Sequence, residues 1–532
     1  MTTSIQSPVT APKVASNTLA NGNQNTSFPW TDLSPAVRHA ETTAGFGYEI
    51  SASTRILIVD ESLRPLATRL AFGFALAARL PKQPTIELVP GPPPQPGNGD
   101  VALILSPPDT ANVPIPDKGK AEAYRIDITN TILVTAKTLA AMALAVTTLY
   151  KAALVSPRLA LGLVIDAPAY AERSVLIDVG RKYYSPEWMI DLLHEMAWNQ
   201  LNTLYLHLTD NEGVRVIFPS APDTASPDAW SAEDLKKILD AATALHIEVV
   251  PGMELPGHMK WILQNRREFQ LKLSNNTIVP KALDFSIPAA RELLMALISD
   301  LLYMFPNCTR CNLEADEYFL DPVSRHNTPQ LARYAQEDSG PSNADSRDGV
   351  RKFVNEVASF VQQKGKVARI WNDAVVEQDQ KISVDKNVVI KCWSIWGSKR
   401  NEKNVQALID DGYSVLNAHG DFYFVIKPGW ENLFHPLHSP HGLYDHWRPN
   451  IFMDDAGSGH TVIDPAHPAV LGGGIQIWAD EAAHMSPEKV WSHLIQWMLP
   501  LGQRAWGSPN AAPDYKSLSL IARSVRYAPP RL

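Results

Sequence analysis

Cysteine is scarce in this chain: Cys308, Cys311 and Cys392 are the only three among 532 residues. Three thiols cannot build a disulfide framework. Cys308 and Cys311 form a single C-x-x-C, and no second pair follows to complete a zinc site. Packing at a strand entrance is the simpler reading of that pair than redox or metal chemistry. Strong basic runs are also absent, and the formal net charge is -8, so a nucleic-acid partner is not expected. No stretch is long and apolar enough to span a membrane, so no membrane partner is expected either. Residues 1–29 are rich in Ser, Thr, Asn, Gln and Pro and read as a disordered tail. They lack the basic-then-apolar order of a secretory signal. The expectation is a cytoplasmic protein, with secretion by another route left open.

What remains is ordinary globular material. Hydrophobic residues make up 45% and charged residues 20%, and the length allows more than one domain. A first folded block is expected over residues 30–166. Strands are read at Arg55–Val59, Val101–Leu105, Tyr124–Ile128 and Thr131–Thr135, with helices at Leu63–Leu80 and Lys137–Ala153. That mixture predicts a small α+β domain. The Pro-rich run Pro90–Pro96 is a loop inside it.

From residue 167 to 532 the pattern is different. Short apolar runs alternate with longer amphipathic segments: Ser174–Val179, Thr203–Leu208, Ile247–Pro251, Cys311–Leu313, Val367–Trp371, Val388–Trp393, Tyr413–Leu416 and Gly474–Trp478. Eight strand–helix units of this kind predict a (β/α)8 barrel. Active sites of such barrels lie at the C-terminal ends of the strands. Chemistry-bearing residues stand at those ends here: Asp178, His207 with Asp210, Glu254 with His258, Asp316 with Glu317, Trp371, Trp393 and Trp478.

The adjacent carboxylates Asp316 and Glu317 carry the most information. Neighbouring side chains on a regular strand point to opposite faces, so both can serve one site only where the strand breaks into a loop. Burial raises a carboxyl pKa, and a protonated carboxyl beside an ionised one is the arrangement that acid catalysis needs.

Four segments together resemble the β-N-acetylhexosaminidases of glycoside hydrolase family 20. Arg173-Ser-Val-Leu-Ile-Asp178-Val-Gly-Arg181-Lys-Tyr183 is similar to the family's R-G-x-x-x-D-x-x-R-x-F. Asn202 to Arg215, containing His207-Leu-Thr-Asp210 and Gly213, is similar to N-x-x-x-x-H-L-x-D-x-x-G-W-R. Glu254-Leu-Pro-Gly-His258 is like D-M-P-G-H, and Asp316-Glu317 is like the end of G-G-D-E. The likeness extends over roughly residues 120–507. It implies an exo-acting retaining hydrolase of terminal β-linked GlcNAc or GalNAc. The substrate's own 2-acetamido oxygen would be the nucleophile, forming an oxazolinium-type intermediate; such enzymes are exceptions to the two-carboxylate scheme. A nucleophile held in the substrate can reach effective molarities of ~10⁵ M or more.

By the same resemblance, Glu317 matches the general acid and Asp316 the carboxylate that orients the acetamide. Tyr423 matches the hydroxyl that holds the acetamide oxygen. Arg173, Asp210 and His258 match polar groups around the sugar, and Trp371, Trp393 and Trp478 match aromatic walls. No metal or organic cofactor is implied. The implied partner is an oligosaccharide or glycoconjugate, and the oligomeric state is open.

Several positions depart from the family's pattern. Asn312-Leu313-Glu314-Ala315 replaces H-x-G-G, and the like charge of Glu314 is expected to raise the acid's pKa. The Trp-x-Glu of the last strand is Trp478-Ala479-Asp480, so Asp480, or Glu481, would take the glutamate's place. Tyr423-Phe424-Val425 replaces Tyr-x-Asp, which removes a contact to a sugar hydroxyl, and Val214 replaces a Trp. His435, His438, His441 and His446 lack the spacing of a metal site and read as solvated loop residues. The alternatives are a catalytically weakened carbohydrate-binding barrel, or a variant acting on a modified sugar such as 6-sulfated GlcNAc or on a disaccharide unit.

Overall fold

The computed structural model describes residues 30, 33–43, 47–89, 96–394, 402–422, 424–432, 436–453, 459–521, 523, 525 and 527–529. The expected tail 1–29, Tyr423 and His435 lie outside the described residues.

The N-terminal unit is one seven-stranded mixed sheet. Its spatial order is His39–Thr42, Gly162–Asp166, Tyr124–Ile128, Ile132–Ala136, Val101–Leu105, Arg55–Ile58 and Thr85–Leu88. Tyr124–Ile128 and Ile132–Ala136 alternate buried and half-buried residues, the period-2 signature of a sheet with one face packed. The packed face carries the helices Arg64–Ala77 and Leu139–Val155 in a single core. The three strands not expected from sequence are all short, and two of them form the sheet's edges.

The second unit is a closed barrel of eight parallel strands. They are β1 (Glu172–Asp178), β2 (Thr203–His207), β3 (Glu248–Gly252), β4 (Arg310–Asn312), β5 (Val367–Trp371), β6 (Val389–Cys392), β7 (Val415–Asn417) and β8 (Val470–Trp478). Closure is through β1, which pairs with β2 (Val175 opposite Leu204) and with β8 (Val175 opposite Ile475). Val175, Ile177, Leu204 and Leu206 point outward into the core shared with the helices. Leu176, Tyr205, Val250, Trp371 and Ala418 form a separate cluster, packed by Trp393 and Trp478. The helices start where the sequence caps them. Ser185 and Ser486 each precede a proline and accept a backbone N–H, and Ser231 with Asp234 and Asp345 with Asp348 form capping boxes.

Two elements run further than the sequence pattern indicates. The last strand begins at Val470, because Gly472, Gly473 and Gly474 are part of it. A Cβ on Gly474 would lie 2.0 Å from the Ser174 carbonyl oxygen, so the approach of β8 to β1 requires glycine there. The helix that begins at Pro487 continues through Pro500 to Trp506 and stops at Gly507, whose φ of 69° is left-handed. The loop after β4 holds the helix Pro329–Gln336, and that after β7 holds Pro440–His446.

Candidate active site

β4 is only three residues long, and the backbone turns sharply beyond it. Glu314, Ala315 and Glu317 have φ of 51°, 66° and 49°, all left-handed. That irregularity allows the neighbours Asp316 and Glu317 to face one pocket. One oxygen of Asp316, Oδ1, is buried and has no hydrogen-bond partner among the described residues.

A line of alternating charge runs beneath the pair. Glu314 and Asp210 hold His207 at 3.1 and 2.8 Å, and all three side chains are fully buried. Asp210 also meets Arg181 at 2.8 Å and His258 at 3.2 Å. His258 then reaches Glu317 at 3.4 Å and Asp316 at 3.9 Å. Burial works against a charge on His207, but its bonds to Asp210 and Glu314 outweigh burial and hold it protonated. Burial also opposes a charge on His258. The carboxylates of Glu254, Asp210, Glu317 and Asp316 raise its pKa to about 12 nonetheless. Arg181 lies between Asp178 and Asp210 and over the ring of Trp478 at 5.7 Å. Lys391 is buried 3.7 Å from the centre of the Trp371 ring and 4.0 Å from Glu314; burial pushes its pKa down to about 8.

The acid pair titrates differently from the sequence expectation. The hydrogen bond to His258 pulls Glu317 below the usual carboxylate range. Burial raises Asp316, aided by the charges of Glu314 and Glu317. The repulsion from Glu314 therefore acts on Asp316, not on the expected acid.

Trp371, Trp393 and Trp478 do come together. Trp371 and Trp478 lie 6.0 Å apart, and Trp478 is edge-on to His207 at 5.0 Å. The Trp393 indole N–H donates to Asp373 at 2.7 Å, and the other oxygen of Asp373 accepts the Glu317 backbone N–H at 3.2 Å. Burial and the charge of Asp316 raise Asp373 to about 7. A cavity of about 590 Å³ opens beside Glu317, lined by Phe319, Arg347, Asp373, Glu377 and Trp393 among others. Asp480 is exposed, and its charge acts on Arg181. Val425 is buried and pairs with Trp478 in a short strand alongside β8.

Arg173 is not in this group. It stands near the start of β1, fully buried, bound to both oxygens of Glu122 at 2.8 Å and over the Trp506 ring at 5.2 Å. It joins the two domains at the opposite end of the barrel from the pocket. Arg181, just past the end of β1, supplies the guanidinium in the pocket. The sequence signal was present, since the same motif contains both arginines. Asp373 had no such signal beyond its place two residues after Trp371.

Two trios, His207–Asp210–Glu254 and His258–Asp316–Glu317, bring ligand-type atoms within 4.8 Å of one another. Each includes a protonated imidazole, and Arg181 already neutralises Asp210, so the donor chemistry suits a charge relay rather than a cation site. The described loop histidines, His438, His441 and His446, do not form a metal-type cluster. His438 lies against Trp430, and His441 pairs with Asp445 at 3.1 Å.

The sequence profile of the glycosyl hydrolase family 20 catalytic domain matches residues 170–508. The chain belongs to that family. It is 28% identical over 374 residues to a lacto-N-biosidase of Bifidobacterium bifidum, covering 69% of this chain and 31% of the relative. It is 23% identical over 356 residues to a β-hexosaminidase of Emericella nidulans, covering 62% and 53%. The chain thus spans well under two thirds of those relatives' lengths. Among solved structures, the N-acetyl-β-hexosaminidase of Streptomyces plicatus matches with a TM-score of 0.69 at 18% identity, covering 94% of this chain and 95% of that one. The β-N-acetylhexosaminidase of Bacteroides fragilis matches with a TM-score of 0.68 at 18% identity, covering 92% and 93%. These two likenesses establish the shared fold of this family 20 member, a (β/α)8 barrel behind a small α+β domain.

Proposed function

We propose that the barrel is an exo-acting, retaining β-N-acetylhexosaminidase that works through its substrate's acetamide. The supporting observation is the buried, unpartnered Oδ1 of Asp316 next to Glu317, in a pocket walled by Trp371, Trp393 and Trp478. A buried acceptor without a donor is costly, and a substrate amide N–H would satisfy it. In this reading the acetamide oxygen attacks C1 while the bond from C1 to the leaving oxygen breaks. Glu317 gives its proton to that oxygen, and the cavity beside Glu317 takes the leaving group. Water then attacks C1, Glu317 takes its proton, and the acetamide re-forms. Two displacements at C1 retain the β configuration. Arg181 and Asp210, rather than Arg173, face the sugar hydroxyls. Tyr423 is assigned to the acetamide oxygen by resemblance.

Substrate binding also reorders the protons. Without substrate, burial raises Asp316 and the hydrogen bond to His258 lowers Glu317, shifts that draw the shared proton toward Asp316. An amide N–H donated to Asp316 favours its ionised form, and the proton then resides on Glu317. The basic limb of kcat, which reports the complex, therefore lies at higher pH than that of kcat/KM, which reports the free enzyme. Coincident limbs would count against this order.

A second reading, release of a disaccharide, is favoured by the lacto-N-biosidase relative and by Val425 at a position where the family pattern has a carboxylate. The deciding experiment uses aryl β-glycosides of GlcNAc, GalNAc, 6-sulfo-GlcNAc and lacto-N-biose. NMR identifies the anomer formed first, and a thiazoline tests inhibition. The β anomer and thiazoline inhibition are expected. An α anomer, or indifference to the thiazoline, rejects the substrate-assisted mechanism. Turnover of the lacto-N-bioside alone selects the second reading.

A further inference from the structure

The end of the barrel opposite the pocket contains another cavity, of about 660 Å³. It lies where the N-terminal domain's turn Asp117–Glu122 meets the segments leading into β1 and β8 and the end of the helix Pro487–Trp506. Four cationic side chains line it: Arg38, Lys118, Arg448 and Arg504. Among the described residues none of the four has a carboxylate oxygen within the 4.0 Å of an ion pair. Their donors go to backbone carbonyls instead. Arg38 reaches Ala167 and Gly507 at 3.2 and 3.3 Å, and Lys118 reaches Pro465 and Val470 at 2.8 and 2.7 Å. Arg448 and Arg504 share the Tyr444 carbonyl, at 3.0 and 2.6 Å. Both terminal nitrogens of Arg504 are without a hydrogen bond among the described residues.

The one acid in the lining, Asp117, and the acids nearby have closer partners than these four cations. Asp166 accepts from the Tyr124 hydroxyl and the Trp506 indole, Asp445 pairs with His441, and Asp117 pairs with Lys120. Asp464 accepts the Ala466 N–H and acts on Lys118 only at longer range. Burial, and then the charge of Arg448, lowers Arg504 to about 10. Asp166, Asp445 and Asp464 act on these cations at longer range than an ion pair, and in a chain of net charge -8 four cations lining one cavity without an ion pair are a specific arrangement. Partly buried cations without an opposite charge are costly, and an anion would offset that cost.

We propose that this cavity is an anion site that takes a tetrahedral oxyanion, phosphate or sulfate, either free or carried on a small sugar. Guanidinium forks suit such oxygens, and the lysine adds a point charge. The volume exceeds what one oxyanion fills, which leaves room for a sugar attached to it. The inference is independent of the reaction at the other end of the barrel.

The test is calorimetric titration of the full chain with inorganic phosphate, and separately with N-acetylglucosamine 6-phosphate and 6-sulfate, against sodium chloride matched for ionic strength. Saturable binding is expected for phosphate, with a rise in Tm that matched chloride does not give. Arg448→Gln and Lys118→Gln are each expected to weaken it at least tenfold. Turnover of an aryl glycoside in the pocket should be unchanged. Tighter binding of the sugar esters than of phosphate points to the sugar-borne source, and equal binding to the free ion. No binding beyond that of chloride overturns the proposal. Wild-type affinity in Lys118→Gln also overturns it, and that variant decides the matter should Arg448→Gln fail to fold.

Discussion

Asp373 connects Glu317, the proposed acid, to the wall of the pocket. One oxygen holds the backbone of Glu317 and the other the indole of Trp393. The left-handed backbone at Glu317 is a conformation non-glycine residues adopt at a cost, and its environment must hold it there. Asp373→Asn cannot accept both donors, so Glu317 or Trp393 should lose its anchor. The expected result is a loss of about 10²-fold in kcat on natural oligosaccharides, with a smaller change in KM, because misplaced acid groups lose most of their catalytic contribution. The basic limb of the pH profile should also move, since a charge beside Asp316 and Glu317 is removed. A folded variant with the wild-type profile and rate would reject this role. Glu317→Gln gives a complementary test. General acid catalysis is worth about 10²–10⁴-fold, and activated aryl leaving groups need less of it. The loss should therefore be large on poor leaving groups and smaller on good ones; equal losses would show that Glu317 is not the acid. The convergence of Asp316 and Glu317 was legible in the sequence, because two adjacent carboxylates after an apolar run serve one pocket only where the strand breaks, as it does here. The arginine of the pocket was legible too, though Arg173 was expected: Arg173 stands near the start of β1 and Arg181 just past its end, and barrel sites lie at the C-terminal ends of the strands. What the sequence did not show is that Arg173 is taken up by Glu122 at the domain junction.

At the scale of elements, the barrel was legible because each parallel strand is an apolar run between amphipathic helices. What the pattern hid was the first half of β8. Glycine carries no hydropathy signal, yet Gly472 to Gly474 pair in register with Glu172 to Ser174. Gly474→Ala would place a methyl group 2.0 Å from a backbone oxygen of β1, where no side chain can move aside. Overpacking of this kind costs about 1–3 kcal/mol or more. The urea midpoint should fall by a corresponding amount, with Trp478 and hence the pocket disturbed. A wild-type midpoint would mean that the strands separate more easily than their packing indicates. The loop helices Pro329–Gln336 and Pro440–His446 were also not read, since each is short and lies within a long polar segment.

The two domains meet along the helix Leu139–Val155, which is buried on nearly all sides. From sequence it is expected only as a helix over Lys137–Ala153. The structure places Lys151 fully inside the junction, donating to the Ser34 carbonyl at 2.5 Å and over the Trp198 ring at 5.0 Å. Burial lowers its pKa to about 7, with Glu195 opposing the shift and Arg69 adding to it. Glu195, on the barrel helix Pro186–Trp198, is raised by burial to about 7 and accepts the Ala528 N–H at 2.8 Å, so the C-terminal segment joins the same junction. Above about pH 8 Glu195 is ionised in both folded and unfolded chains, and Lys151 is the group that changes. The unfolded chain keeps the lysine proton up to about 10.5, whereas the folded chain has lost it. The unfolded state therefore binds more protons in this window, and Lys151 makes stability rise with pH. Lys151→Met removes that dependence and leaves the packing volume close to unchanged. Between pH 8 and pH 10 the unfolding free energy of the wild type should gain on that of the variant by about 2–3 kcal/mol. Urea unfolding of both proteins at the two pH values measures it. The comparison is between slopes, so loss of the Ser34 hydrogen bond, a constant offset, does not enter. A difference that stays flat across the window would mean that the lysine remains charged in the junction, with Glu195 as its standing partner.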